Sequence, residues 1–329
     1  MASSAIEVVI PAYNAGRYLR ETLESVAAQT VPPSLVTVVN DSSADDTVAV
    51  AESCARDLAD RIPIRVLHNP GPRGPAAARN LAIRTGDLPL VALLDADDLL
   101  TPNHHAALRQ ALEAAPGIVL AFGDHDVFGA GGPVNASGLA ASGVAQAPAK
   151  DVAPGVFSLG EATFPALLRT GIFGTSACLF RRSAAVTAGL FDEAMMHGED
   201  TDLFLRMSLL GRFVFVREIV ARKRVHGENL THERNKMLFC RGAVRSLTRL
   251  AEADRQGGIM LTPGQRKALR AALPGAVQGH LYAASRTGVA AYREAATMAA
   301  RAGHAGLAAG PKHLLRLALR RLLDRPRRN

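Results

Sequence analysis

An α/β fold with a mostly parallel sheet flanked by helices is predicted from three observations. Short apolar runs alternate with helical stretches over roughly the first 120 residues. Polar residues cluster where those apolar runs end, and beyond residue 230 the pattern is helical without strand-like runs. Alternating strands and helices build parallel sheets covered on both faces. The expected organisation is one domain over residues 1–230 and a helical appendage over 231–329.

The elements follow in order. IEVVIPAY reads as a short buried strand, and RYLRETLESVAAQT as a helix with Leu19, Leu23 and Val26 at helical spacing. VTVVND is a second strand and DDTVAVAESCARDLAD a second helix; IRVLHN is a third strand, then Gly and Pro punctuate the turn before AAARNLAIRTG. LVALLD is a fourth strand, and PNHHAALRQALEAA a helix with proline near its start, where a missing N–H does no harm. Residues 129–155 are rich in Gly, Ala, Ser and Pro, a composition that predicts a mobile loop or lid. Structure resumes with FPALLRTGIFGTSACLFRRS, an acidic turn and helix GEDTDLFLRMSLLG, and a strand pair within residues 212–231.

Composition bounds the chemistry. With 329 residues, 48% hydrophobic and 21% charged, the chain can bury a substantial core. Its three cysteines, Cys54, Cys178 and Cys240, lie far apart, which argues against a disulfide framework or zinc knuckle and fits a reducing cytoplasm. The first residues lack the pattern of a signal peptide, and no charge-free run approaches the roughly 18 residues needed to cross a bilayer. From Lys312 onward seven basic residues face one acid, Asp324, so +6 of the net +8 lies in the tail.

In an open α/β sheet, ligands sit beyond the carboxyl ends of the strands. Tyr13, Asp41, Asn69, Asp95 and Asp97 all fall at such ends. The sharpest signal is LVALLDADD, where an apolar strand runs directly into Asp95, Asp97 and Asp98. Burying carboxylates there is costly unless something cationic compensates. Two carboxylates one residue apart can hold a divalent cation and a ribose hydroxyl, since Mg²⁺ and Mn²⁺ take oxygen ligands. The same residues also read as a solvated acidic turn before the helix near Pro102.

VVIPAYNAGRYLRETLESVAAQT, VVNDSSADDT, GPAAARNLAIRTG, LLDADD and GEDTDLFLRM stand in an order and spacing that resembles the family 2 glycosyltransferases, over roughly residues 5–230. The resemblance implies the GT-A (nucleotide-diphospho-sugar transferase) fold and inverting transfer of a sugar from a nucleotide-sugar donor, UDP-sugars being the commoner donors. It places Pro11 and Tyr13 in the base and ribose pocket and Asp41 on the base. Asp41 is followed by Ser42 where the family more often has glycine, which bears on that turn. Arg73 falls where the family often contacts the donor, although a solvated loop charge is the plainer reading. Asp95 and Asp97 would bind the nucleotide-sugar, with Asp97 and His226 on Mn²⁺ or Mg²⁺. Asp200 matches the catalytic base, with Glu199 as its neighbour or the alternative base; both also sit where a helix N-terminus favours acids. Tyr13 alone could be a core aromatic, and His226 alone a surface histidine.

Transfer of a single sugar to a saccharide or lipid-linked hydroxyl acceptor is expected, because polymerising members carry a Gln-x-x-Arg-Trp motif and this chain has no tryptophan. Two alternatives fit less well. A sugar-phosphate nucleotidylyltransferase would want a Gly-rich loop after the first strand, which PAYNAGRYL does not supply. A non-catalytic nucleotide-sugar-binding protein would be expected to lose Asp97, Asp200 or His226.

PKHLLRLALRRLLDRPRRN spaces Lys312, Arg316 and Arg320 four apart, beside Leu315, Leu319 and Leu322. That is a basic amphipathic helix, suited either to packing on the domain or to an anionic bilayer on the inner membrane face. Nucleic acid is not expected, since the tail has no interleaved aromatics. On the membrane reading, the 329-residue chain floats with anionic liposomes and a chain lacking residues 311–329 remains at the bottom of the gradient; equal flotation of the two would remove that reading.

Overall fold

The structure, a computed structural model, describes residues 4–169, 171–227, 229 and 235–310, so the basic tail lies outside the described residues. The chain divides into two compact units, Met1–Gly227 and Glu228–Asn329.

In the first unit, β1 (Ile6–Ala12) leads to α1 (Gly16–Ala27), β2 (Leu35–Asn40) to α2 (Thr47–Asp57), and β3 (Ile64–His68) to α3 (Pro75–Thr85). β4 (Leu90–Leu93) is followed by the short β5 (Leu99–Leu100) and α4 (His104–Glu113). Next come β6 (Ile118–Gly129), β7 (Gly132–Asn135), α5 (Gly138–Ala141), β8 (Lys150–Ala153) and β9 (Val156–Ser158). The unit closes with α6 (Thr163–Arg169), β10 (Cys178–Arg181), α7 (Arg182–Thr187), α8 (Glu199–Met207) and β11 (Arg212–Val225).

The described strands form one sheet in the order β3-β2-β1-β4-β10-β6-β11-β9-β8, with β5 on β11 and β7 on β6. β3, β2, β1 and β4 are parallel, as their alternation with helices predicts. β10 then runs antiparallel between β4 and β6, and β11 returns parallel to β6, so the far half of the sheet is mixed.

Register brings the strand ends into line. Ala12 pairs with Asn40, Asn40 with His68, and Val9 with Leu93. The next backbone bonds continue the ladder: Asp41 N–H donates to Ala12 O at 2.8 Å, Asn69 N–H to Asn40 O at 2.9 Å, and Leu94 N–H to Val9 O at 3.1 Å. Tyr13, Asp41, Asn69 and Asp95 therefore emerge along one edge, where the ordered backbone ends and side chains can meet a ligand.

One segment carries no assignment from the sequence, and two others differ from expectation. Residues 118–129 form a twelve-residue strand. It is buried along nearly all of its first half and so shows no alternation. Residues 129–155 are not a structureless loop: β7 folds back on β6, α5 follows, and β8 pairs with β9. Asp124 anchors this stretch, accepting from Ser137 Oγ at 2.5 Å and Leu139 N–H at 2.9 Å, while the Leu139 and Val144 side chains are buried. Residues 212–225 are one bulged strand rather than a pair, because its central residues follow β6 instead of turning back.

α1 starts without a side-chain cap of its own. Its first N–H groups are satisfied from the start of α2 and the loop before it: Ala15 N–H donates to Thr47 Oγ1 at 2.8 Å and Gly16 N–H to Asp45 Oδ2 at 3.0 Å. Gly16 permits this approach, since a Cβ there would overlap the Asp46 carboxylate.

One charged group lies inside the sheet. Glu7 on β1 is fully buried and accepts from Thr37 Oγ1 and Arg182 Nη2, each at 2.5 Å, and from Arg65 Nη2 at 3.1 Å. Arg182 also donates to the carbonyls of Ile83 and Leu88, so this ion cluster ties β1 to β2, β3, the end of α3 and the start of α7.

The second unit contains α9 (Lys236–Arg255), α10 (Pro263–Thr287) and α11 (Val289–Arg301), preceded in the numbering by the elements above. α10 begins with a capping box between Thr262 and Gln265 and with Pro263 in its first turn. Arg266 grips Asp254 of α9 through two bonds of 2.6 and 2.8 Å. Among the described residues no helix is long and apolar enough to cross a membrane.

Removing one member of a buried ion cluster strands its partners without solvent or counter-charge. Glu7→Ala is expected to cost about 3–5 kcal/mol of stability, read as a lower urea midpoint at unchanged m-value.

Candidate active site

The site assembles at the carboxyl edge of the parallel strands. Asp41 is buried there, and both its oxygens are occupied: Oδ1 accepts from Asn69 Nδ2 at 2.6 Å and Oδ2 from Gly74 N–H at 2.7 Å. Asn69 also accepts from Gly71 N–H and donates to Pro72 O, so it shapes the loop before α3. Arg73 stands exposed on that loop. Gly74 has φ +126°, a conformation that glycine alone adopts readily, and Pro75 follows at the first turn of α3.

Tyr13 is 59% exposed at the end of β1, so it is no core aromatic, and Pro11 is half-buried behind it. Ser42 takes φ +65°, the left-handed backbone glycine would prefer, so the turn keeps its shape at a cost of roughly 1–2 kcal/mol. Asn14 is also left-handed, and its Oδ1 accepts from Ala44 N–H at 2.8 Å, joining the two neighbouring loops.

The acidic turn after β4 is held from several directions. Thr22 Oγ1 lies 2.9 Å from the carbonyls of both Ala96 and Asp98. Ser176 Oγ accepts from Asp95 N–H at 3.1 Å and donates to Asp98 Oδ2 at 2.7 Å. Arg224 of β11 donates its N–H to Asp98 Oδ1 at 2.9 Å and its Nε to Asp97 O at 2.8 Å. Asp98 is thereby a buried brace, while Asp95 and Asp97 keep side chains 35% and 24% exposed.

His226 Nε2 lies 2.8 Å from Asp97 Oδ2, and its ring stacks on Tyr18 at 4.8 Å. Burial and then the neighbouring Asp95 push the Asp97 carboxyl up, against the pull of His226. Burial, Asp95 and Asp97 push Asp98 well up. A cation placed among these acids would relieve that crowding of charge. One carboxylate and one imidazole already in contact, beside a partly exposed second carboxylate, form an oxygen-rich set of the kind Mn²⁺ or Mg²⁺ accepts. No group of three or more His, Cys, Asp and Glu is gathered for a metal among the described residues, so Asp97 and His226 would provide two ligands.

Arg79 joins this turn to α8. Its side chain is 4% exposed; Nη2 donates to Asp95 Oδ1 and Nη1 to Glu199 Oε1, both at 2.7 Å. Burial pulls Arg79 down, but Asp95, Glu199 and Asp200 outweigh it and keep it firmly charged. Asp200, next to Glu199 in the first turn of α8, accepts from Thr201 N–H at 2.6 Å and from Thr175 Oγ1 at 2.8 Å. Burial, then Asp200, raise Glu199 to about 7 against the pull of Arg79.

The structure thus brings Asp95, Asp97 and His226 together, links Asp95 through Arg79 to the Glu199–Asp200 pair, and places Asp41, Tyr13 and Arg73 on the neighbouring loops and Pro11 near the end of β1. Arg79, Thr175, Ser176, Tyr18 and Arg224 also take part in the site, and no sequence motif marks any of them as functional. Arg79 carried one available signal, a lone charge in the run PAAARN, whose buried face is otherwise mostly alanine.

Residues 7–129 match the model described as Glycosyl transferase family 2. This stretch belongs to glycosyl transferase family 2. Curated relatives of the family 2 domain include the glycosyltransferase GlyG of Streptococcus pneumoniae, 32% identical over 111 residues, or 34% of this chain and 36% of GlyG. The uncharacterized glycosyltransferase YibD of Escherichia coli is 34% identical over 113 residues, 34% of this chain and 32% of YibD. The matches thus span about a third of those two relatives. An uncharacterized glycosyltransferase of Rickettsia prowazekii matches more broadly, 27% identical over 70% of this chain and 67% of its own length.

Among solved structures, residues 1–349 of Staphylococcus aureus TarS in complex with UDP-GlcNAc align at TM-score 0.56 and 15% identity, covering 96% of this chain and 92% of that fragment. The mannosyltransferase PcManGT of Pyrobaculum calidifontis, in complex with GDP-Man and Mn²⁺, aligns at TM-score 0.56 and 20% identity, covering 98% and 88%. The family 2 domain accordingly has the GT-A fold, with its sheet flanked by helices.

Because Glu199 binds its proton more tightly folded than its ordinary value of 4.5, stability is expected to fall as pH rises from about 4.5 to about 7 and to level off above. The linked contribution is at most roughly 3 kcal/mol. Glu199→Gln should remove that part of the slope in urea unfolding at pH 4.5–7.5 with EDTA; an unchanged slope would show that Glu199 titrates normally.

Proposed function

We propose that the chain is a metal-dependent, inverting glycosyltransferase that moves one sugar from a nucleotide-sugar, a UDP-sugar in the first instance, to a hydroxyl acceptor. One observation carries this reading: Arg79 spans 2.7 Å bonds to Asp95 on one side and Glu199 on the other, so the acidic turn and the Asp200 carboxylate belong to one polar cluster. The family and fold support a nucleotide-sugar at the strand edge, and PcManGT bears Mn²⁺ with its donor.

In this reading Pro11, Tyr13 and Asp41 receive the base and ribose, Arg73 reaches the donor from its loop, and Asp95 takes a hydroxyl of the donor. Asp97 and His226 would hold Mn²⁺ or Mg²⁺, which supplies Lewis-acid stabilisation to the departing diphosphate. Asp200 takes the proton of the acceptor hydroxyl as its oxygen bonds to the anomeric carbon. The bond from that carbon to the diphosphate oxygen breaks on the opposite side, and the nucleoside diphosphate leaves with inversion. Hydrogen bonds to both Asp200 oxygens keep the carboxylate oriented for this transfer. A saccharide or lipid-linked acceptor on the cytoplasmic membrane face would fit the basic tail.

A thermal-shift screen of UDP-, GDP- and dTDP-sugars with and without Mn²⁺ is expected to show a shift that needs both donor and metal. Asp97→Ala should abolish the metal-dependent part. Asp200→Asn should keep the shift while donor hydrolysis falls about 10²–10⁴-fold. Full turnover by Asp97→Ala in chelator would overturn the metal-dependent reading.

A further inference from the structure

Thr175 and Ser176 are consecutive residues of a short 3₁₀ turn, Thr175–Ala177, that leads directly into β10. Their hydroxyls serve two different parts of the site. Thr175 Oγ1 donates to Asp200 Oδ2 at 2.8 Å, whereas Ser176 Oγ donates to Asp98 Oδ2 at 2.7 Å and accepts from Asp95 N–H at 3.1 Å. Asp98 and Asp200 are separated by 102 residues in sequence, yet adjacent residues hold both. The turn is itself fixed, because Ala177 N–H donates to Gly174 O at 2.9 Å and β10 is hydrogen-bonded between β4 and β6.

We propose that Thr175 is a positioning residue for Asp200, and that the Thr175–Ser176 pair fixes Asp200 against the acidic turn. The inference rests on the reading of Asp200 as the base. An aspartate carboxylate turns about a broad, two-fold torsion, so the helix backbone alone leaves its face poorly defined. Thr201 N–H at 2.6 Å holds Oδ1, and the Thr175 hydroxyl holds the other oxygen from a separate element. Two anchors on two oxygens fix the plane. A carboxylate has about four acceptor sites, so capacity remains to receive the acceptor proton. Arg79 and Glu199 stand beside Asp200, and the bond between them does not involve Thr175.

Thr175→Val preserves shape and removes the hydroxyl, while Thr175→Ser keeps the donor and loses a methyl. The measurements are turnover of donor hydrolysis and donor Kd, each in Mn²⁺, using UDP-GlcNAc, GDP-mannose or whichever nucleotide-sugar stabilises the wild-type chain. A hydrogen bond to a charged group is worth roughly ten- to a hundredfold. Thr175→Val is therefore expected to lower kcat by that factor with donor Kd unchanged, and Thr175→Ser to return kcat to within about threefold of wild type. If Thr175→Val does not fold, Thr175→Ala carries the same expectation.

Asp200→Asn is measured in parallel. Wild-type kcat in Thr175→Val with an inactive Asp200→Asn would overturn the positioning role and leave the base reading standing. Wild-type kcat in Asp200→Asn would overturn the base reading and this inference with it. Loss of kcat in Thr175→Ser equal to that in Thr175→Val would also overturn it, since the hydroxyl would then not be what matters.

Discussion

The site depends on a cation that the protein supplies itself. Arg79 sits almost wholly out of water with its two outer nitrogens on Asp95 and Glu199. A guanidinium in that position is tolerable only with carboxylates opposite, and the buried Glu199 carboxylate in turn needs the guanidinium beside it. Its forked geometry suits the role, since one planar group reaches two acids in fixed directions where an ammonium would offer a single point of charge. α3, the turn after β4 and the start of α8 are consequently held as one object.

This constraint also explains the unequal behaviour of the acids. Asp98 is used up by the scaffold, accepting from Ser176 and from the Arg224 backbone. Asp95 is half claimed by Arg79, and Asp97 meets His226 while both keep some exposure. The three acids share one short segment but have separate tasks, because the turn points each toward a different neighbour. Beneath them, the Glu7 cluster does for the sheet what Arg79 does for the site, tying β1 to four other elements around a carboxylate withdrawn from water.

Much of this was legible in the residues. Parallel strands alternating with helices place Asp41, Asn69 and Asp95 on one edge without further information, because strand register in a parallel sheet carries each end to the same side. The strand at 118–129 was not legible, since a strand buried on both faces loses the two-residue alternation that marks it. The ordered elements within 129–155 were hidden for another reason. Asp124, Leu139 and Val144 anchor a segment whose average composition looks loop-like, and composition averages away single anchors.

The sequence by itself determined the parallel half of the sheet, the acidic turn at its edge and the identity of the side chains offered there, because these follow from local periodicity and from where strands stop. Only the tertiary structure decided which of those side chains meet. The resemblance already set His226 beside Asp97; that Arg79 bridges Asp95 and Glu199, and that neighbouring hydroxyls of one turn reach Asp98 and Asp200, are contacts between residues far apart in the chain. Such contacts arise from the packing of α3, β10, α8 and β11 around the sheet end, and no local pattern encodes them.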